Sequence, residues 1–236
     1  MKKKIVVGII VAAILVVGGV MVIPSIVATE EGYSLDKLGN LIDAYTEKDG
    51  GDKEENPSET QGEPVASVNE QYIYQEDIDY EKAYLALETN VEIETEEAIE
   101  SAAIKKIIIA EASELGFTLS DTEIAEIRAQ IDEDYDADLE TNNTYAEQLG
   151  VSRDDLVDTY LEMCIFLKIK EEYYAYLFEA LLDGSITSDN QSVNDLLDKI
   201  RTTSIETYEG FGEDVLKVTD LYVRDLLDSS DFEILK

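Results

Sequence analysis

The sequence lacks His and Trp altogether, holds one Cys and three Pro, and sets only 18 Lys and Arg against 54 Asp and Glu in 236 residues. Each shortage excludes a chemistry. Without His there is no Ser-His-Asp or Cys-His catalysis and no His-ligated zinc. The lone Cys164 forms no internal disulfide and no Cys-based zinc site. Set in Leu161-Glu162-Met163-Cys164-Ile165-Phe166-Leu167, it reads as a small buried hydrophobe. A formal charge of −36 repels phosphate, so no nucleic-acid partner is expected. What the chain does have is apolar residues, 44 % of the total, which excludes disorder throughout.

Those apolar residues are unevenly spread. Residues 1–4 read MKKK, and residues 5–23 run for nineteen positions without a charge. A basic stub at 1–4 followed by an apolar span at 5–24 predicts a single transmembrane anchor. The Lys side stays cytoplasmic and everything after Pro24 lies outside, a single-pass protein of the cell membrane with an extracytoplasmic C-terminal domain. A cleaved signal peptide is the rival reading; its apolar core ordinarily runs about 7–15 residues, and Ile26-Val27-Ala28 offers it a poor cleavage site. No Cys directly follows the span, which excludes a bacterial lipoprotein anchor. Beyond residue 28, fifteen bases face all fifty-four acids, a charge of −39.

Residues 25–63 read as an acidic, flexible linker. Tyr33, Leu35, Leu38, Leu41, Ile42 and Tyr45 recur at the spacing of one short helix. Residues 47–63 are too polar to offset their ordering entropy and predict a self-repelling tether. Residues 64–236 then read as one mostly helical domain. Val65 to Asn69 is a short strand ending in a turn. Helices follow over Tyr74–Leu87 and Thr95–Leu115, the second stopped by Gly116 in a left-handed conformation with Phe117 behind it. Ser120 and Glu123 form a capping box for a third helix carrying Ile124, Ile127, Ile131 and Tyr135. Gly150 and Ser152 open a long helix reaching about Leu182, and Gly184 and Ser188 open a fifth through Leu196, Leu197 and Ile200. Gly210 and Gly212 break the pattern; Val215–Leu227 fits helix or strand. Residues 231–236 alternate as a closing strand able to pair with Val65–Val68.

The long helix carries two apolar stripes. Leu156, Tyr160, Met163, Cys164 and Leu167 form one; Phe166, Ile169, Tyr173 and Tyr176 form the other. A helix apolar on more than one side is covered on more than one side. The second stripe is either further core or a groove for a partner, and its four residues are the candidate polypeptide-binding site.

In their order, several of these landmarks resemble a known family. Val65-Ala66-Ser67-Val68-Asn69, followed by Ile73 and a helix, resembles the opening of the SurA N-terminal-type chaperone domain shared by SurA and the PrsA foldases. Glu70 stands where that opening has Gly. Ala112-Ser113-Glu114-Leu115-Gly116-Phe117-Thr118-Leu119-Ser120-Asp121-Thr122-Glu123-Ile124 is similar to the family's pattern of Ala, Gly, an apolar pair flanking Thr, then Ser-Asp-x-Glu. Leu149-Gly150-Val151-Ser152-Arg153-Asp154-Asp155-Leu156 resembles the lead into its central helix. The resemblance covers roughly residues 64–190. It implies a mostly α fold, a multi-helix domain with one or two short strands, and a binder of unfolded or newly exported polypeptides. Many members carry a parvulin isomerase domain with paired His in its site. This chain has no His, and no stretch after the long helix matches such a domain in size, so the resemblance transfers no catalytic residue and no cofactor.

The abundant acids suggest other chemistry, which their spacing does not support. Asp132, Asp134, Asp136 and Asp138 alternate, but a calcium loop begun at Asp132 has Ala137 for its Gly and Asn143 for its Glu. Begun at Asp134, it has Leu139 and Tyr145 there. The run reads as a solvated helix end. Nothing selects a glycosidase pair of carboxylates. Asn142-Asn143-Thr144 matches a glycosylation sequon. Two non-enzymatic functions follow. One is an ATP-independent holdase tethered to the membrane. The other is a structural adaptor with one fixed envelope partner, and an inactive, diverged isomerase relative stands behind both.

Overall fold

The structure, a computed structural model, describes residues 35–49, 62–89, 91–204, 208 and 210–235. In chain order the elements are α1 (Leu35–Asp49), β1 (Ala66–Val68), β2 (Gln71–Ile73), α2 (Gln75–Thr89), α3 (Thr95–Glu114) and α4 (Asp121–Ala137). There follow α5 (Leu139–Leu149), α6 (Arg153–Asp183), α7 (Gln191–Thr202), α8 (Phe211–Ser229) and β3 (Phe232–Ile234). The fold is mostly helical, as the sequence predicts. The span at 5–24 and most of the tether lie outside the described residues. Among the described residues no helix is long and apolar enough to cross a membrane.

Local chemistry explains where the helices begin and end. At α4 the Ser120 hydroxyl accepts from the Glu123 backbone N–H at 3.3 Å, and the Glu123 carboxylate accepts from the Ser120 N–H at 2.8 Å. Ser152 and Asp155 repeat the exchange at α6, at 3.1 and 2.9 Å. Each pair satisfies two donors that a helix start leaves orphaned. α3 ends as the sequence predicts: Gly116 has φ +84°, and the N–H groups of Gly116 and Phe117 donate to the carbonyls of Ser113 and Ala112. This is a Schellman closure. At α7 the cap is Asn190, whose side chain accepts from Ser192 N–H at 2.9 Å, and not the expected Ser188. The Ser188 hydroxyl instead accepts from the Asn190 N–H and donates to Asp225. Asn190 is the better-placed cap because it directly precedes the first helical residue, where its side-chain oxygen reaches a free N–H.

Among the described residues three strands form where one or two were expected. β1 lies between β2 and β3, antiparallel to both. The closing strand thus pairs with β1, with Ser67 opposite both Tyr72 and Glu233. β2 escapes the sequence reading because a three-residue strand shows too little alternation to register. Its turn is Asn69-Glu70, with φ +47° and +65°. Positive φ at both central residues matches the strands' right-handed twist, a geometry usually given to Asn-Gly.

The described chain divides into two compact units, with α3 and α6 contributing to both. One unit holds the sheet, α1, α2, α4 and α5 together with the first parts of α3 and α6. Its core packs Leu38, Leu41 and Ile42 of α1 with Tyr80 and Leu87, Ile131 and Tyr135, and Leu156, Tyr160 and Met163. Residues 35–49 are therefore part of a folded core, although the sequence places them in a linker. Leu41 and Ile42 have no solvent exposure, and each such burial stabilises by about 1.5–3 kcal/mol. The other unit comprises 107–118 and 167–230. Phe178, Leu181, Val193, Leu197, Phe211, Val215 and Val218 form its core, with the Phe178 and Phe211 rings edge to face.

Of the alternating acids, Asp132, Asp134 and Asp136 lie on α4, and Asp138 is the non-helical residue that follows it. Residues two apart on a helix point to different sides, whereas Asp132 and Asp136 share a side. Arg153 bridges those two at 2.9 and 3.1 Å. Asn142 of the sequon is buried, and its Nδ2, the atom a glycan would take, donates to the Tyr135 carbonyl.

Candidate functional site

α6 is one uninterrupted helix of 31 residues. From Cys164 to Glu172 every side chain is half-buried, the apolar ones and the charged Lys168, Lys170, Glu171 and Glu172 alike. Cys164 belongs to this stretch. Burial, with a smaller contribution from Asp134, raises its thiol pKa, so the nucleophilic thiolate is scarce at neutral pH.

The four residues of the candidate stripe have different surroundings. Phe166 is half-buried and covers an ammonium: Lys105 Nζ lies 5.1 Å from its ring centroid and 4.4 Å from that of Tyr80. The same ammonium is 3.3 Å from Glu81 and 3.7 Å from Glu162, and Ser101 donates to Glu81 at 2.8 Å. Glu81 is 4 % exposed, so this is a buried charge held by its partners. Burial first, then Glu162 and Glu81, push the Tyr80 hydroxyl far above its ordinary value. Neither Lys105 nor Tyr80 is thereby free for chemistry; the network fixes the packing of α2, α3 and α6.

Ile169 is half-buried and Tyr173 is 1 % exposed. The Tyr173 hydroxyl has no hydrogen-bond partner. Its pKa is raised by burial and secondarily by the Glu111 carboxylate. Tyr176 alone of the four is exposed, at 37 %, and its ring meets Phe117 at 5.6 Å. Phe117 is half-buried, held in place by the Schellman closure after α3. Ile109 and Leu115 of the same unit are also exposed. The stripe read from the sequence is thus cover for an ion network at Phe166, core at Tyr173, and surface at Tyr176.

A second surface goes unmarked in the sequence. The sheet buries Ala66, Val68 and Ile73 on one face. The other face carries the row Tyr72, Ser67 and Glu233, and a groove of about 820 Å³ opens there. It is lined by Ser67, Glu70, Tyr72, Asp231, Phe232 and Glu233. Tyr72 is 53 % exposed. The signal in the sequence is the pairing of Val65–Val68 with residues 231–236; the missing piece is β2, which brings Tyr72 and the Glu70 turn to the same rim.

Among the described residues no group of three His, Cys, Asp or Glu side chains is placed to hold a metal ion. Comparison with protein-family models, with curated proteins and with solved structures returns no match to this chain.

Proposed function

We propose that the chain is a non-catalytic holdase: a domain tethered outside the cell membrane by residues 5–24 that shields unfolded, newly exported polypeptides without ATP. The observation that carries the reading is the Tyr176–Phe117 pair, an aromatic contact with the Tyr176 ring exposed, in a unit whose Ile109 and Leu115 are exposed as well. Aromatic rings bury large area and lose little side-chain entropy, which suits sequence-tolerant binding. The absence of His removes the commonest general base, and the Lys105 ammonium is engaged by two carboxylates. The resemblance of 64–190 to the SurA N-terminal-type domain points to the same class of ligand.

Client breadth is the test. The full chain is added to two unrelated proteins diluted from denaturant, and light scattering is followed. A holdase suppresses both. Suppression of neither, with one envelope protein recovered by affinity capture, replaces this reading by the adaptor.

A further inference from the structure

We propose that the groove on the outer face of the three-stranded sheet docks an extended, Lys- or Arg-bearing polypeptide segment. The inference rests on the polypeptide-binding reading only for the class of partner; the groove is distinct from the Tyr176 surface and its composition is its own argument.

Six residues line the groove, and they divide into three chemical types. Glu70, Asp231 and Glu233 are carboxylates with no basic residue among their neighbours in the lining. Tyr72 is the aromatic on this face, Ser67 at the centre is small, and Phe232, paired with Val68, borders the groove while its side chain belongs to the other face. Elsewhere several of the scarce cations are committed: Lys105 to Glu81 and Glu162, Lys106 to Asp77, Arg128 to Asp158, Arg153 to Asp132 and Asp136. The groove acids have no such partner among the described residues. In a chain of charge −36, three carboxylates that line one groove and are unpaired among the described residues attract cations and repel phosphate or acidic peptide.

The arrangement selects among cations. No three carboxylates are close enough for one metal ion among the described residues, so the charges suit a ligand whose positive groups are themselves spaced. Tyr72, Ser67 and Glu233 lie in one row across the strands, exposed at both ends and low in the middle. An extended chain laid over Ser67 places alternate side chains toward the rims, where a Lys or Arg stem lies along an aromatic face and its head meets a carboxylate. Asn69 and Asp231 fix the rim's shape: each backbone N–H is bound across the gap, Asn69 N–H to the Asp231 carbonyl and Asp231 N–H to Asn69 Oδ1, both at 3.2 Å. The site is therefore built on strands and a paired turn, which hold it in shape before any ligand arrives.

The experiment uses the full chain in nanodiscs of zwitterionic lipid and a short labelled peptide alternating Lys and Thr, read by fluorescence anisotropy. Matched peptides alternating Glu and Thr, or Gln and Thr, are the comparisons. Wild type binds the Lys peptide and neither of the others. The triple variant Glu70→Gln, Asp231→Asn, Glu233→Gln weakens binding by about tenfold, the sum of three exposed ion pairs. A control triple on exposed helix positions of the same unit, Glu126→Gln, Glu133→Gln, Glu140→Gln, leaves affinity within about twofold if binding is local. Ser67→Arg, which sets a cation in the groove, abolishes binding while unchanged thermal unfolding shows that the sheet survives. Equal losses in both triples overturn the groove in favour of diffuse charge attraction, as does undiminished binding in the first. Failure to bind the Lys peptide by a protein that still suppresses aggregation of neutral clients overturns the groove and leaves the holdase; binding without suppression supports the groove and removes the holdase.

Discussion

Tyr173 and Tyr174 are neighbours on α6 and both are buried, yet only one hydroxyl has a partner. Tyr174 donates to Asp220 at 2.9 Å, and Tyr173 donates to nothing. A buried donor without an acceptor costs about 1–3 kcal/mol, whereas a made bond contributes about 1 kcal/mol net. Tyr173→Phe is therefore expected to unfold at the same temperature as wild type or higher, and Tyr174→Phe to lose about 1 kcal/mol in denaturant melts. Equal destabilisation by both would mean that the Tyr173 hydroxyl has an acceptor. Replacing Tyr173 by Ser instead opens a core cavity and costs about 3–5 kcal/mol. That makes Tyr176, and not Tyr173, the residue through which surface binding is probed cleanly.

At the scale of elements, the sharpest departure from the sequence reading is α1. Its Leu38, Leu41 and Ile42 pack with α2, α4 and α6, so Leu41→Ala is expected to destabilise that unit by about 2–5 kcal/mol. A flexible tether would show no change in thermal melting. The spacing of these leucines is visible in the sequence; their burial is not, because an amphipathic helix looks the same whether it docks on a domain or lies free. Punctuation is the most legible feature. Gly116 and Gly150 adopt positive φ, and Ser120 and Ser152 cap where the sequence places them, since a cap is decided by three or four adjacent residues. α5 is not foreseen: Leu139 to Leu149 is polar, and a single non-helical residue, Asp138, separates it from α4. The candidate stripe suffers from the same ambiguity as α1. Periodicity identifies the side of α6 on which Phe166, Ile169, Tyr173 and Tyr176 lie, but which of them is covered depends on what α3 and its following loop bring to Phe166 and Tyr176.

Charge dominates the behaviour of the whole molecule. Fifty-four carboxylates repel one another at neutral pH, and salt screens that repulsion over about 10 Å at 0.1 M. Adding NaCl is expected to raise the melting temperature at pH 7, opposite to the response of a protein held by surface ion pairs. Lowering the pH toward 5 acts in the same direction. An opposing loss begins lower. Burial disfavours the Asp214 charge, but hydrogen bonds from Lys199 and Tyr208 outweigh it and hold the carboxyl below its ordinary 3.8. A depressed carboxyl contributes stability above that value, and the contribution is lost as pH falls through the lower folded-state value. Calorimetric melts are thus expected to improve on acidification and then to weaken below about pH 4, with Asp214→Asn less stable at pH 7 and without its part of the acid loss. A melting temperature that falls with added salt at pH 7 would contradict the charge account.

If an acidic helical domain outside the membrane holds unfolded chains on exposed aromatic surface, that surface must touch them. The most direct measurement is site-specific photo-cross-linking in the full-length protein, with a benzophenone side chain at position 176, at position 173, or at 140 as an exposed control on α5. A permanently unfolded, reduced and alkylated protein is supplied, and its native form is supplied in parallel. The account predicts adducts from position 176 with the unfolded protein and not with the native one, and none from 140. Adducts that form equally at 140 and 176, or at neither, would contradict it.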